Sequence, residues 1–435
     1  MWVRKRIEIT PADLCRGLWN CITPGDRQQI CRQIGEVWKS EDALVCLSVR
    51  SGFDLLLHSS GWPQGSEIIM SGLTIPDMPR IVEANGLKAI GVDIDLATMQ
   101  PDLDEIRQAI TPQTKAIVVA HLLGGICDIS GVLEIAREHK LMVIEDCAQA
   151  YVGSEYQGDE RVDVSMFSFG PIKTNTALAG GVFRVRNAQL RETMERMQDQ
   201  WKIQSRFKFA KRVMKYAFVK TISTRPLCGG FYRFMKLFGS NHDGVASTMA
   251  RGFAGPGFFR KIRQQPSTPL MKLLHHKLQA FHPETTSRRR ELGERLVQLL
   301  GSKVHVLGSE MRRQTYWVLP LLVDEPQSLV QKLWDAGFDG SNHCSLHAVV
   351  DDEDSTAASI LRHIVFLPLH STMPKSEIDR MAKVILQAAP EKPLVVSRRF
   401  ADNEADVPAV ASVEHKLGDA ADLAASVSPV SPVSN

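Results

Sequence analysis

The chain reads as an α/β protein: a large layered domain on a mainly parallel sheet, then a smaller α+β domain. Three observations predict this. Between residues 40 and 190, short β-branched runs alternate with stretches whose apolar residues recur at helical spacing. Those helical stretches open after turn-prone residues, as crossover helices between parallel strands do. Beyond residue 300, shorter apolar runs resume around helical segments at a scale too small for a second large sheet.

In order, residues 66–70, 89–92, 116–120, 142–144 and 164–168 are predicted strands, and 104–110 and 130–139 predicted crossover helices. Residues 270–300 read as helical, 304–306, 316–323 and 364–367 as strands of the small domain, and 375–389 as its closing helix. The predicted organisation is an N-terminal segment 1–35, a large domain 36–200, a basic aromatic insertion or arm 201–262, a linking helix and small domain 263–394, and a tail 395–435. That tail is rich in Ala, Ser, Val, Asp and Pro and ends Ser-Pro-Val-Ser-Pro-Val-Ser-Asn, a composition with too little apolar surface to order itself.

At 435 residues, 44% apolar and 23% charged, the chain is long enough for a large core. A net charge of +3 is small for this length, so bulk charge points neither to nucleic acid nor to a membrane, and no nucleic-acid partner is expected. Eight cysteines without a CxxC pair argue against a zinc ribbon or a disulfide framework, and no metal is expected. The start Met-Trp-Val-Arg-Lys-Arg turns polar by residue 13 without the apolar region of a signal peptide, and no run of 18 apolar residues follows. A cytoplasmic location is the expectation.

Two strand ends carry the chemistry. Leu141-Met-Val-Ile-Glu-Asp146 ends in a carboxylate followed by Cys-Ala-Gln149, and Met166-Phe-Ser-Phe-Gly-Pro-Ile-Lys173 ends in an amine 27 residues later, with Gly180-Gly181 beyond. Parallel sheets bind ligands at the C-terminal ends of their strands, so both groups can face one pocket. Upstream, Ser51-Gly52 precedes an apolar helix whose N-terminal amides suit a phosphate. An amine for an aldehyde, a carboxylate for a pyridine nitrogen and donors for a phosphate are the parts of a pyridoxal 5'-phosphate site. Singly, a strand-end Asp, a Lys after a Pro or a Ser-Gly turn is usually a surface or capping residue; the combination in this order is what informs.

These residues resemble the DegT/DnrJ/EryC1/StrS sugar aminotransferases, within fold type I of the pyridoxal phosphate enzymes. Matching pieces run in family order: Ser51-Gly52-Phe-Asp-Leu-Leu, Pro63-Gln-Gly-Ser-Glu, Val92-Asp-Ile-Asp95, Ile110-Thr-Pro-Gln-Thr-Lys, His121-Leu-Leu-Gly, Glu145-Asp-Cys-Ala-Gln149 and Ser168-Phe-Gly-Pro-Ile-Lys173, then Phe366-Leu-Pro-Leu-His370 near the end. The resemblance implies a seven-stranded sheet and a homodimer whose active sites form between subunits. Carried over by position, Lys173 would hold the cofactor as a Schiff base and shuttle protons. Asp146 would pair with the pyridinium nitrogen and Gln149 lie near the ring's 3-hydroxyl. Ser51, Gly52 and Phe53, with Ser168, would hold the phosphate. The implied reaction moves an amino group from an amino acid, glutamate first among donors, to a nucleotide-linked keto sugar for polysaccharide or secondary-metabolite synthesis. Alternatives are a lyase or dehydratase, or a non-catalytic regulatory or membrane-surface scaffold on this fold; the dehydratase branch replaces the lysine with His, so Lys173 counts against it. His121 closes a strand and reads as a wall residue rather than a catalyst.

The chain departs from the family pattern in places. Ser-Gly-Thr is Ser51-Gly52-Phe53, the stacking aromatic expected near residue 74 falls in Ser71-Gly-Leu-Thr-Ile75, and Arg263-Gln-Gln-Pro-Ser267 stands where an Asn-Tyr-Arg element reaches across the dimer. Residues 201–238 hold ten Lys or Arg and nine aromatics with no Asp or Glu. Within 206–222, apolar Phe207, Ala210, Met214, Ala217 and Thr221 recur among the cations, which predicts a basic amphipathic helix. It could pack on its own domain, act as a lid on a sugar-nucleotide diphosphate, or lie on an anionic membrane surface, which would make the protein peripheral at the inner membrane face.

Overall fold

In the computed structural model, the described residues are 1–4, 7–40, 43–222, 253, 257–350 and 352–388. The predicted tail and residues 223–238 of the basic stretch lie outside them. The described residues form one compact unit. Its centre is a seven-stranded sheet of β1 (Ala43–Cys46), β2 (Glu67–Ser71), β4 (Lys88–Val92), β5 (Thr114–Ala120), β6 (Met142–Asp146), β7 (Val164–Ser168) and β8 (Gly181–Val185), in the order β1-β8-β7-β6-β5-β2-β4. The five strands from β4 to β7 run parallel; β8 is antiparallel to β7, and β1 to β8. The carboxyl ends of β6 and β7 therefore open on the same edge.

Helices cover both faces because successive strand residues point to opposite sides. Met166 of β7 packs with α3 (Val49–Ser59) and Phe183, while its neighbour Phe167 packs with Trp38 on the other side. That second side is closed by α1 (Pro11–Ile22), α2 (Arg27–Trp38) and a helix Thr268–Gln279. The Trp38 ring meets Phe167 edge-on at 5.0 Å between centroids, an arrangement that adds about 1 kcal/mol to the burial of both rings. α1 begins with a complete capping box: the Thr10 hydroxyl accepts the Asp13 N–H while the Asp13 carboxylate accepts the Thr10 N–H, both at 3.0 Å.

The smaller layer is an antiparallel sheet ordered β12 (Ile364–Leu367), β10 (Leu319–Leu322), β9 (His305–Val306), packed under helices Glu284–Leu300, Pro326–Asp335 and Lys375–Ala388. Trp2 enters this core, so the N-terminal segment is tied to the helix Lys375–Ala388; its indole N–H donates to Glu377 at 2.9 Å. The stretch read as helical over 270–300 is two helices, interrupted at Phe281-His282-Pro283, where proline has no N–H to continue the ladder. A two-residue pairing of β3 (Leu73–Thr74) with β11 (His347–Ala348), not foreseen from the sequence, brings the segment around residue 346 over the edge of the large sheet. Among the described residues, no helix is long and apolar enough to cross a membrane.

Candidate active site

A cavity of about 380 Å³ lies at the carboxyl edge of the sheet, lined by Asp146, Gln149, Ser168 and Lys173 together with the start of α3 and parts of the smaller layer. Asp146 is the last residue of β6. Its Oδ1 accepts the Ala148 N–H at 2.9 Å. Burial raises its pKa above the usual carboxylate value, against the pull of that hydrogen bond and of the Lys173, His121 and Arg50 charges. A carboxylate so placed favours a cationic N–H donor, which is what a protonated pyridine nitrogen presents. Gln149 accepts the Leu123 N–H through Oε1 at 2.9 Å, which fixes its amide toward the cavity.

Lys173 follows β7 in a turn closed by its own N–H to the Gly170 carbonyl at 3.1 Å. It keeps a path to solvent through the cavity mouth, yet protein surrounds it on nearly every side. Burial lowers its pKa to about 8; Asp146 opposes the shift and Arg50 adds to it. Its Nζ stands 4.5 Å from the centre of the Trp317 ring, and the Trp317 indole donates to the Ile172 carbonyl at 2.9 Å. Arg289, buried beneath, donates to the Thr315 carbonyl at 2.8 Å and to the Thr174 hydroxyl at 3.1 Å, which ties the lysine's loop to the smaller layer. Burial depresses Arg289 to about 10, with Glu8 opposing. Neither Trp317 nor Arg289 was singled out from the sequence; they lie more than 110 residues beyond Lys173, and no local signal connects them.

Ser51, Gly52 and Phe53 require a correction. They sit inside α3, fully buried, and do not line the cavity. The helix starts three residues earlier: Ser48 is its N-cap, its hydroxyl accepts the Ser51 N–H at 3.2 Å, and the Gly52 N–H is spent on the Ser48 carbonyl at 3.1 Å. Gly52 is there for packing, since a Cβ would come within 2.1 Å of the Phe183 ring. Ser48, Val49 and Arg50 border the cavity instead. Arg50 is held there by an ion pair with Asp77, which also lines the cavity. The cap serine preceding a helix was the legible signal; choosing Ser51 over Ser48 misplaced it by one turn.

The stacking position is aliphatic: Ile75 and Pro76 form that wall. His121 lies behind the cavity wall, with its Nε2 2.6 Å from Glu145 and its Nδ1 3.2 Å from Cys127 Sγ. Burial opposes its charge, but Cys127, Cys147 and Glu145 outweigh that and raise its pKa well above the ordinary value. Glu145 also accepts from Ser165 and Tyr156, so the pair is a closed structural lock. Arg263 is tied within its own chain, donating to both Asp54 carboxylate oxygens at 2.8 and 2.9 Å.

A family model for the DegT/DnrJ/EryC1/StrS aminotransferases matches residues 20–217, the segment that supplies Asp146, Gln149, Ser168 and Lys173. Over those residues the chain is similar to the DegT/DnrJ/EryC1/StrS family. It is 35% identical over 161 residues to GDP-perosamine synthase of Caulobacter vibrioides, covering 36% of this chain and 43% of that protein. A second GDP-perosamine synthase, from Escherichia coli O157:H7, is 40% identical over 131 residues, covering 29% of this chain and 36% of that protein. The chain thus matches less than half the length of these DegT-family relatives. In fold the likeness is longer: the aminotransferase TlmJ of Streptoalloteichus hindustanus superposes with a TM-score of 0.65 at 18% identity, over 89% of this chain and 100% of that one. Spr1654 of Streptococcus pneumoniae, solved in a PLP form, has a TM-score of 0.63 at 17% identity, over 89% and 99%.

Proposed function

We propose that this chain is a pyridoxal phosphate-dependent aminotransferase that moves an amino group from an amino acid, L-glutamate first among candidates, to a keto sugar carried on a nucleotide. The observation that carries the reading is the convergence of Lys173, with an amine depressed to about 8, and Asp146, a half-buried carboxylate in want of a cation, from adjacent strand ends into one cavity. Bound there, the cofactor supplies an electron sink that stabilises charge at the substrate Cα. Lys173 would hold the cofactor aldehyde and move the Cα proton, Asp146 would keep the ring nitrogen protonated, and Gln149 would lie against the ring. Ser168 and the start of α3, with Arg50, would take the phosphate.

The choice of acceptor rests on charge. Arg4, Arg50, Arg80, Arg212, Arg289 and Lys173 line the cavity against Glu8, Asp77 and Asp146, an excess of cations suited to a second anionic group such as a diphosphate. Arg212, from the basic helix, thus gives the lid reading a foothold. A homodimer in the cytoplasm accords with the family. One observation favours the scaffold alternative, the aliphatic Ile75 where an aromatic would stack. The absorption spectrum decides: a cofactor band that bleaches with glutamate and is missing in Lys173→Ala supports amino transfer, whereas a protein that takes up no cofactor supports the scaffold.

A further inference from the structure

Seven large apolar side chains are exposed among the described residues, and six of them belong to two neighbouring segments: Trp19 and Ile22 of α1, with Ile203, Phe207, Met214 and Phe218 in and just before the helix α8 (Arg206–Ile222). α8 is apolar on two sides. Phe209, Val213 and Tyr216 are buried against the body, while Phe207, Lys211, Met214 and Phe218, spaced four, three and four residues apart, form a stripe on the outside. Phe207, Met214 and Phe218 are 68%, 57% and 62% exposed. α1 lies alongside: a Cβ added at Gly17 would lie 3.3 Å from the Val213 side chain, and Arg206 donates to the Thr23 carbonyl at 3.4 Å. Trp19 and Ile22 therefore extend the same outer face.

Charge identifies what this face meets. α8 carries six Lys or Arg and no acid. Arg16, Arg206, Lys208, Lys211 and Lys215 are exposed around the apolar stripe, and the one acid of α1, Asp13, is buried and paired with Lys277 at 3.0 Å. A two-fold contact with a second copy would bring this cationic face against itself, which like charges oppose. Exposed apolar side chains gathered on two neighbouring helices mark an interaction surface, and cations interleaved with Trp and Phe match the headgroup boundary of an anionic bilayer.

We propose that the outer face of α1 and α8 docks on an anionic phospholipid surface, with Trp19, Ile22, Phe207, Met214 and Phe218 entering the headgroup region and Arg206, Lys208 and Lys211 meeting lipid phosphates. The proposal is independent of the amino-transfer reading, because none of these residues lines the cavity. The test is co-sedimentation of the full chain with vesicles of phosphatidylcholine alone and mixed with phosphatidylglycerol. Binding is expected for the mixed vesicles only, weakening as salt rises. The pairs Phe207→Ser with Phe218→Ser and Lys208→Glu with Lys211→Glu should each lower it at least about tenfold. Lys173→Ala should bind vesicles like the unaltered protein, which separates this test from that of the reaction. Circular dichroism checks that the variants fold, and the lysine pair, lying on solvent, serves should the phenylalanine pair not. No binding to the mixed vesicles, or equal binding by the folded variants, overturns the proposal. So does a loss of self-association in those variants by sedimentation velocity without loss of vesicle binding, which would assign the face to a second copy.

Discussion

Competitive acylation of Lys173 in the cofactor-free protein, followed across pH, reads its ionisation directly. With an amine near 8, about a tenth of Lys173 is neutral at pH 7, against a few parts in ten thousand for an ordinary lysine, so its reactivity should exceed that of surface lysines by about two orders of magnitude. Burial is the first cause and cannot be removed by one substitution, but the two charge contributions can, and they have opposite signs. Arg50→Gln removes a cation that disfavours the ammonium, so the midpoint should move up; Asp146→Asn removes an anion that favours it, so the midpoint should move down. Mass spectrometry of the labelled peptide gives each midpoint without any cofactor. A midpoint above about 10 in the unaltered protein, or a shift of both variants in one direction, would refute the electrostatic account of this site.

Gly52→Ala should destabilise the fold by roughly 1–3 kcal/mol or more, since its methyl must displace the Phe183 ring, and urea titration will show it as a lowered midpoint. His121→Gln should cost about 3–5 kcal/mol by leaving Glu145 buried without its partner, yet the variant should still take up pyridoxal phosphate, because His121 stands behind the wall. The stability this pair confers has a defined window. His121 is raised, so its contribution is full below about pH 6.5 and falls as pH rises through the raised value; Glu145 is lowered, so its contribution is full above about pH 4.5 and falls as acid protonates it. The difference in urea midpoint between unaltered protein and His121→Gln should therefore hold steady from about pH 5 to 6.5 and shrink as pH rises beyond that. Trp317→Ala should lower the Lys173 midpoint more than Trp317→Phe does, because phenylalanine keeps a ring face for the Lys173 ammonium; equal midpoints in the two variants would argue that the ring plays no part.

Much of the fold was legible because it is written in short-range pattern. A predicted strand at 164–168 and a helix at 130–139 match β7 and the observed helix Ser130–His139, and the strand at 364–367 matches β12, since alternation and helical spacing are properties of the sequence itself. Asp146 and Lys173 were likewise legible as chemistry at strand ends, and parallel pairing of β6 with β7 brings them to one edge. The start of α3 was read one turn late because Ser48 and Ser51 are both good caps; only the packing of Gly52 on Phe183 and the bonding of the Ser48 hydroxyl show which one opens the helix. The basic helix shows the same boundary. Its period was plain, but periodicity cannot say which of two apolar faces is buried, and the structure buries Phe209, Val213 and Tyr216 while Phe207 and Met214 point outward.

The sequence by itself determined most of the large-domain elements, the family resemblance and the two candidate groups at the strand ends, because local propensity and spacing act over a few residues. The tertiary structure alone decided that Trp317 and Arg289 hold the lysine loop, that Arg50 rather than Ser51 faces the cavity, and that His121 is locked away from it. These depend on contacts between residues far apart in the chain, whose geometry arises only when the smaller layer closes over the sheet edge and narrows the access of water to Lys173 and Asp146.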